Sequence, residues 1–378
     1  MSAVNITSVL SRWTVWVPLV AVVALVLSWG RDLPPLAVLV VAICLAGAVL
    51  AAVHHAEVVA HRVGEPFGSL VLAVAVTVIE VALIVTLMVD GGPKSASLAR
   101  DTVFAAVMIT CNGIVGVSLL VAALRNRVAV FNAEGSGAAL ATVATLATLS
   151  LVLPTFTTSK PGPEFSAAQL TFAAVASLGL YGLFVAMQTV RHREYFVSVT
   201  REGDIRDEVD EAGEVGEADE KHAQVPGRPA AVLSLVLLLV ALVAVVGDAK
   251  AVSPTIESGV ESAGLPHAVV GVVIALLVLL PETLAAVRAA RRDRVQTSLN
   301  LALGSAMASI GLTIPVIALA TIWLEGPLLL GLGATHMVLL VLTVVVGALT
   351  VVPGRATLLQ GGVHLAIFAA YIFLAVSP

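Results

Sequence analysis

The sequence predicts an all-helical protein that crosses a membrane about eleven times, as two inverted five-helix repeats behind an extra N-terminal helix. Three observations carry that prediction. Hydrophobic residues make up 59% of the 378 and charged residues 12%, whereas an average soluble domain is roughly 25% charged. Continuous apolar runs of about 20 residues, the length of one helical crossing, recur from end to end. One hydrophilic segment then divides the chain into halves of similar pattern. A β-barrel is disfavoured, since its strands would alternate in units of roughly ten residues.

The first run, Trp13 to Trp29, follows Arg12 and looks like a signal peptide. Trp29-Gly30-Arg31-Asp32 offers no small-residue cleavage motif, so the run reads as a retained helix. A window of about 19 residues places the other spans. They fall near 36–53, 66–89, 101–123, 138–157, 167–190, 230–248, 266–287, 297–323, 329–350 and 357–376. The chain is thus laid out as an N-terminal helix (1–35), a first unit (36–190), a linker (191–229) and a second unit (230–378). Trp13, Trp16, Trp29 and Trp323 sit at or near span ends, where aromatic side chains bridge lipid and water. Cys44 and Cys111 fall inside apolar runs and define no disulfide framework.

Basic residues orient the chain. With the N-terminus in the cytoplasm, fifteen Lys and Arg lie inside and five outside, and the C-terminus is then outside. The linker is cytoplasmic on this reading. Its core, "EGDIRDEVDEAGEVGEADE" at 202–220, holds ten of the 25 acids and reads as a solvated tether. It lacks the spaced Asp/Asn and Gly pattern of an EF-hand loop, which leaves a cation sensor as the weaker alternative.

The first unit contains "LVLAVAVTVIEVAL", with Glu80, followed by "DTVFAAVMITCNGIVGVSLL". The second contains "VVIALLVLLPETLAAV", with Glu282, followed by "TSLNLALGSAMASIGLTIPVI". Each is an apolar helix with one buried acid and then a helix rich in small and polar residues. Five spans per unit turn the second upside down relative to the first. Inverted repeats of this kind are built around midplane sites in secondary transporters.

A charged acid at a helix centre costs about 2.5–3.5 kcal/mol on insertion scales, so such groups are paired, protonated or beside a hydrated cavity. A lone Glu could be a permanently protonated hydrogen-bonding group. Two at matching repeat positions, with no intramembrane Lys or Arg, point instead to a cationic ligand. Facing carboxylates cannot both ionise cheaply, and a bound cation removes that difficulty. Protons and a cation therefore exclude each other, which is what exchange requires. A divalent ion such as Ca²⁺ would neutralise both acids.

Ca²⁺ takes roughly six to eight oxygens, so further ligands are needed. Pro281 cannot donate to the carbonyl of Leu277, and the helix should open there. Thr77 shares the helix face of Glu80. Asn112, Ser305 and Ser309 occupy the small-residue spans, either as ligands or as interhelical hydrogen-bonding groups. Gln296 and Asn300, nearer the interface, rank lower. His54, Glu57 and His61 share one face in "VHHAEVVAHRVGEP", without the order of a zinc protease. They read as interfacial polarity or an ion vestibule. Nucleotide-binding glycine motifs, a nucleophile elbow and an aromatic–basic nucleic-acid surface are all missing from the sequence. The chain is therefore expected to be no enzyme, to need no cofactor and to bind no nucleic acid.

"GEPFGSLVLAVAVTVIEVAL" together with "LLPETLAAVRAARRDRVQTSLNLALGSAMASIGLTIP" resembles the cation/proton exchanger branch of the cation/Ca²⁺ exchanger superfamily. The likeness is greatest to the bacterial calcium/proton and sodium-potassium/proton antiporters. It implies an eleven-helix antiporter of the bacterial cytoplasmic membrane, with alternating access. The transported ions would be H⁺ and Ca²⁺, or Na⁺ or K⁺. The family's motif glutamates match Glu80 and Glu282, with Asn112, Ser305 and Ser309 as accompanying polar residues. The chain departs from many relatives in having no proline before Glu80.

Overall fold

Backbone polar groups in lipid have to pair within their own segment, so apolar runs of this length fold as helices. The computed structural model describes residues 13–31, 33–64, 67–91, 96–197, 226–266, 268–323 and 326–378. The first unit and its leading helix comprise α1 (Trp13–Ser28), α2 (Pro35–Val63), α3 (Phe67–Gly91), α4 (Leu98–Asn126), α5 (Ala133–Phe156) and α6 (Ala167–Arg191). The second comprises α7 (Arg228–Ser262), α8a (Ala268–Val278) with α8b (Leu280–Arg291), α9 (Val295–Ala320), α10 (Ala334–Val351) and α11 (Leu358–Val376). Eight of these helices are long and apolar enough to cross a membrane singly, and α8a with α8b makes a ninth. The shorter apolar helices are α1 and the Val74–Thr86 part of α3. The acidic stretch 202–220 lies outside the described residues.

Two helices run further than hydropathy alone indicates. α2 continues past residue 53 to Val63, and α7 past 248 to Ser262. Polar side chains at His54-His55 and Asp248-Lys250 end an apolar window, yet they leave the backbone hydrogen-bond ladder intact. The ladder stops where glycine takes a left-handed φ, at Gly64 (φ 76) directly after α2 and at Gly264 (φ 67) just beyond α7. Other ends are set by side-chain caps. Asn132 accepts from Gly135 N at 2.9 Å to start α5, and Ser166 with Gln169 forms a capping box on α6.

Among the described residues two large apolar cores stand out, with a small third cluster of Val38, Val41 and Val252. One packs α4, α5, α6, α9, α10 and α11, with Phe104, Met108, Leu146 and Met307 among its fully buried side chains. The other packs α2 and α7 with Ala21 of α1. The helix that carries Glu80 and the segment α8a that leads into Glu282 belong to both. On α3, Ile79 and Leu83 enter the second core while Ile84 enters the first. On α8a, Val270 and Ile274 enter the second while Val272 and Ala275 enter the first. The acid helix of each unit also packs on the polar-spotted helix of the other, α3 on α9 and α8b on α4. Glu80 and Glu282 are thereby brought to one seam.

Short ties hold the far ends. β1 (Val128–Val130) pairs antiparallel with β2 (Arg355–Thr357), Ala129 opposite Ala356. Ser298 Oγ donates to the Ala286 carbonyl at 2.8 Å and lies 2.6 Å from Ser118 Oγ, fastening α9, α4 and α8b together.

Candidate functional site

Glu80 lies in the unbroken middle of α3 and is 5% exposed. Its Oε1 accepts a 2.5 Å hydrogen bond from Ser309 Oγ of α9. Glu282 sits at a different kind of place. Pro281 has no N–H to give, and the chain bends by 53° between α8a and α8b. Glu282 therefore falls in the first turn of a new helix, where unpaired backbone N–H groups favour a negative charge. Its Oε2 is buried and has no hydrogen-bond partner among the described residues.

Both carboxylates line a single cavity of about 160 Å³. Thr77, Ser305 and Ser309 line it too, as do Tyr181, Phe184 and Gln188 of α6. No described lining residue is basic. The cavity extends from Thr77 and Glu80 at mid-helix to Gln188 and Asn300, near the end of α6 and the start of α9. A pocket with two acids, several hydroxyls and no cation of its own has the chemistry of a cation or proton site.

Of the six ligand candidates from the sequence, the fold brings five together at this cavity: Thr77, Glu80, Glu282, Ser305 and Ser309. Asn112 is not among the lining residues. It lies in a π-helical turn of α4, Ile109–Ile114, and its amide is engaged on both sides. Nδ2 donates to Thr343 Oγ1 at 2.9 Å, and Oδ1 faces His364 Nδ1 at 3.1 Å. Thr350 Oγ1 meets the other ring nitrogen at 3.1 Å, so the four groups form a buried polar network across α4, α10 and α11.

Asn300 lines the cavity but is held in place. It donates to the Phe196 carbonyl at 2.6 Å and accepts from Gln296 at 2.8 Å. Gln296 also accepts from Asn132 N at 2.7 Å, outside the cavity. His54, Glu57 and His61 do not gather as ligands, and no group of three or more metal-ligating side chains occurs among the described residues. The buried ring beside them is His55, bonded through Nε2 to the Thr14 carbonyl at 2.9 Å.

The α6 wall was not anticipated from the sequence. Its signal is a spacing: Ala173, Ser177, Tyr181 and Phe184 are the buried positions of α6, and Gln188 follows at the next step of that stripe.

The sequence profile of the sodium/calcium exchanger protein family matches residues 33–190 and 233–377. The y4hA protein of Sinorhizobium fredii is 45% identical over 369 residues, covering 97% of this chain and 96% of that protein. The sodium-potassium/proton antiporter ChaA of Escherichia coli is 34% identical over 358 residues, covering 94% and 93%. The solved structure of native YfkE superposes with a TM-score of 0.67 at 16% identity, covering 97% of this chain and 99% of that one, a likeness of fold.

Proposed function

This chain belongs to the sodium/calcium exchanger protein family, and from that premise we propose that it exchanges Ca²⁺ for protons, with Glu80 and Glu282 as the site both ions share. More broadly it is a membrane transporter of the cation/proton antiporter kind, not an enzyme. The supporting observation is a cavity that holds both carboxylates and, among the described residues, is lined by no basic side chain.

The mechanism follows from charge. With the cavity empty, two ionised carboxylates in a low-dielectric seam repel each other and lack solvation. Protons relieve this by neutralising the acids, and Ca²⁺ relieves it by neutralising both at once. Either occupant displaces the other. The two carboxylates offer at most four oxygens, and the hydroxyls of Thr77, Ser305 and Ser309 bring the set to about seven, within the roughly six to eight that Ca²⁺ takes. Exchange needs the site to reach one side at a time. With the N-terminus in the cytoplasm, the Gln188–Asn300 end of the cavity is the cytoplasmic one. Alternating access would then move the α2–α7 core relative to the larger core, with units 36–190 and 230–378 as the inverted halves.

Na⁺ or K⁺ is the second reading, supported by the relative named for those ions at 34% identity. A monovalent ion neutralises one carboxylate only, so the other would keep its proton and the stoichiometry would differ. Everted vesicles with a ΔpH-reporting dye separate the readings. Ca²⁺, Na⁺ and K⁺ are added singly; the transported ion dissipates the gradient, and failure of all three would overturn the antiporter reading. Glu80→Gln and Glu282→Gln should each abolish the response while insertion is unchanged. Retained transport in either variant removes that residue from the site.

A further inference from the structure

The buried stripe of α6 contains three polar side chains, and two are committed to packing. Ser177 Oγ lies 3.1 Å from Ser150 Oγ. Tyr181 lies against Gly311 of α9, so closely that a Cβ there would come within 2.6 Å of the Tyr181 Cβ. Gln188 is the third. It is half-buried, lines the cavity, and among the described residues its amide has no hydrogen-bond partner. Its backbone is unusual as well, since Met187–Arg191 is a π-helical turn, a feature that occurs often at functional sites.

Position adds to the argument. Gln188 and Asn300 are half-buried where they line the cavity, whereas Glu80 and Ser309 are buried. Asn300, the other amide lining it, is spent on Phe196 and Gln296. The cavity lined by Glu282, whose Oε2 is orphaned, therefore also presents an uncommitted side chain with a carbonyl oxygen and an NH₂ group. The oxygen suits a hard cation that is losing water, and the NH₂ group suits a carboxylate when no cation is present. A neutral ligand adds an oxygen without adding a third negative charge to a site already balanced by two.

We propose that Gln188 is a cation ligand in the cavity, receiving the ion as it dehydrates, passing it to Glu282 and helping to set which cation is accepted. The inference rests on the antiporter reading above. Its test measures half-saturating concentration and maximal rate for Ca²⁺, Na⁺ and K⁺ in everted vesicles. The proteins compared are the wild type, Gln188→Met (similar size, no oxygen), Gln188→Asn and Gln188→Glu. Methionine should raise the half-saturating concentration by about tenfold, as expected for losing one polar contact to a charge, with little change in maximal rate. Asparagine should restore part of that loss. Glutamate should lower the half-saturating concentration for Ca²⁺ and slow the maximal rate, because a third negative charge holds the ion longer.

Unchanged half-saturation and cation order in Gln188→Met, with wild-type exchange intact, would overturn this inference alone. Equal losses of maximal rate in all three variants would also overturn it, by assigning Gln188 to packing. Wild-type vesicles that exchange no cation would overturn the antiporter reading, and this inference with it.

Discussion

Ser309→Ala is the sharpest probe of the cavity, because the wild-type hydroxyl makes one defined contact. Ser309 Oγ donates to Glu80 Oε1 at 2.5 Å, and both residues are buried. The hydrogen bond stabilises the ionised carboxylate, which is the form that holds a cation. Such a bond to a charged group contributes ~1.5–3 kcal/mol, and each ~1.4 kcal/mol is tenfold in affinity. The half-saturating cation concentration should therefore rise about 10- to 100-fold. Ser298→Ala is the control. Its hydroxyl also makes two buried hydrogen bonds, to Ser118 and Ala286, but it does not line the cavity. That variant should lose thermal stability and keep its half-saturation. Vesicle exchange titrated with cation gives the affinity, and thermal melting of the purified proteins gives the stability. Equal half-saturation in Ser309→Ala and wild type would refute the reasoning, as would equal affinity losses in the two serine variants.

Three further outcomes are expected. Pro281→Ala returns a helical N–H to the Leu277 carbonyl and relaxes the 53° bend, so exchange should fall at unchanged expression; a wild-type rate would show that the bend does not place Glu282. His364→Leu strips partners from buried Asn112 and Thr350, at about 1–3 kcal/mol for each orphaned group. Its melting temperature should drop while cation half-saturation stays constant, and a pure affinity change would instead place the network in the ion path. Deleting 202–220, with ten acids, should leave transport intact or alter only its regulation; complete loss of exchange would contradict its role as a tether.

Much of this was legible in the sequence because membrane helices announce themselves locally. Apolar length located the eleven helices, and Pro281 announced the break beside Glu282 without any tertiary information. Helix ends were less legible. Side-chain polarity at His54 and Asp248 stops a hydropathy window, but the helices stop where Gly64 and Gly264 permit a left-handed turn. Tertiary partners were least legible. Asn112 sits in the predicted polar helix, yet which way its amide faces depends on Thr343 and His364, more than 200 residues away. Gln188 lies in a helix with no acid and no repeat cue, and only its place on the Ala173–Phe184 stripe connects it to the cavity. The three-residue strands β1 and β2 carry too little sequence to register at all.

The central claim is that a cation and protons compete for Glu80 and Glu282. It is tested most directly by proton release on binding, using purified protein in weakly buffered detergent solution and the cation that the vesicle assay selects. Adding the cation should acidify the solution. Raising the starting pH should tighten binding and reduce the protons released per ion, because fewer remain on the acids. The Glu80→Gln/Glu282→Gln double variant should bind no ion and release no protons. Cation binding without acidification, or acidification that survives in the double variant, would contradict the account.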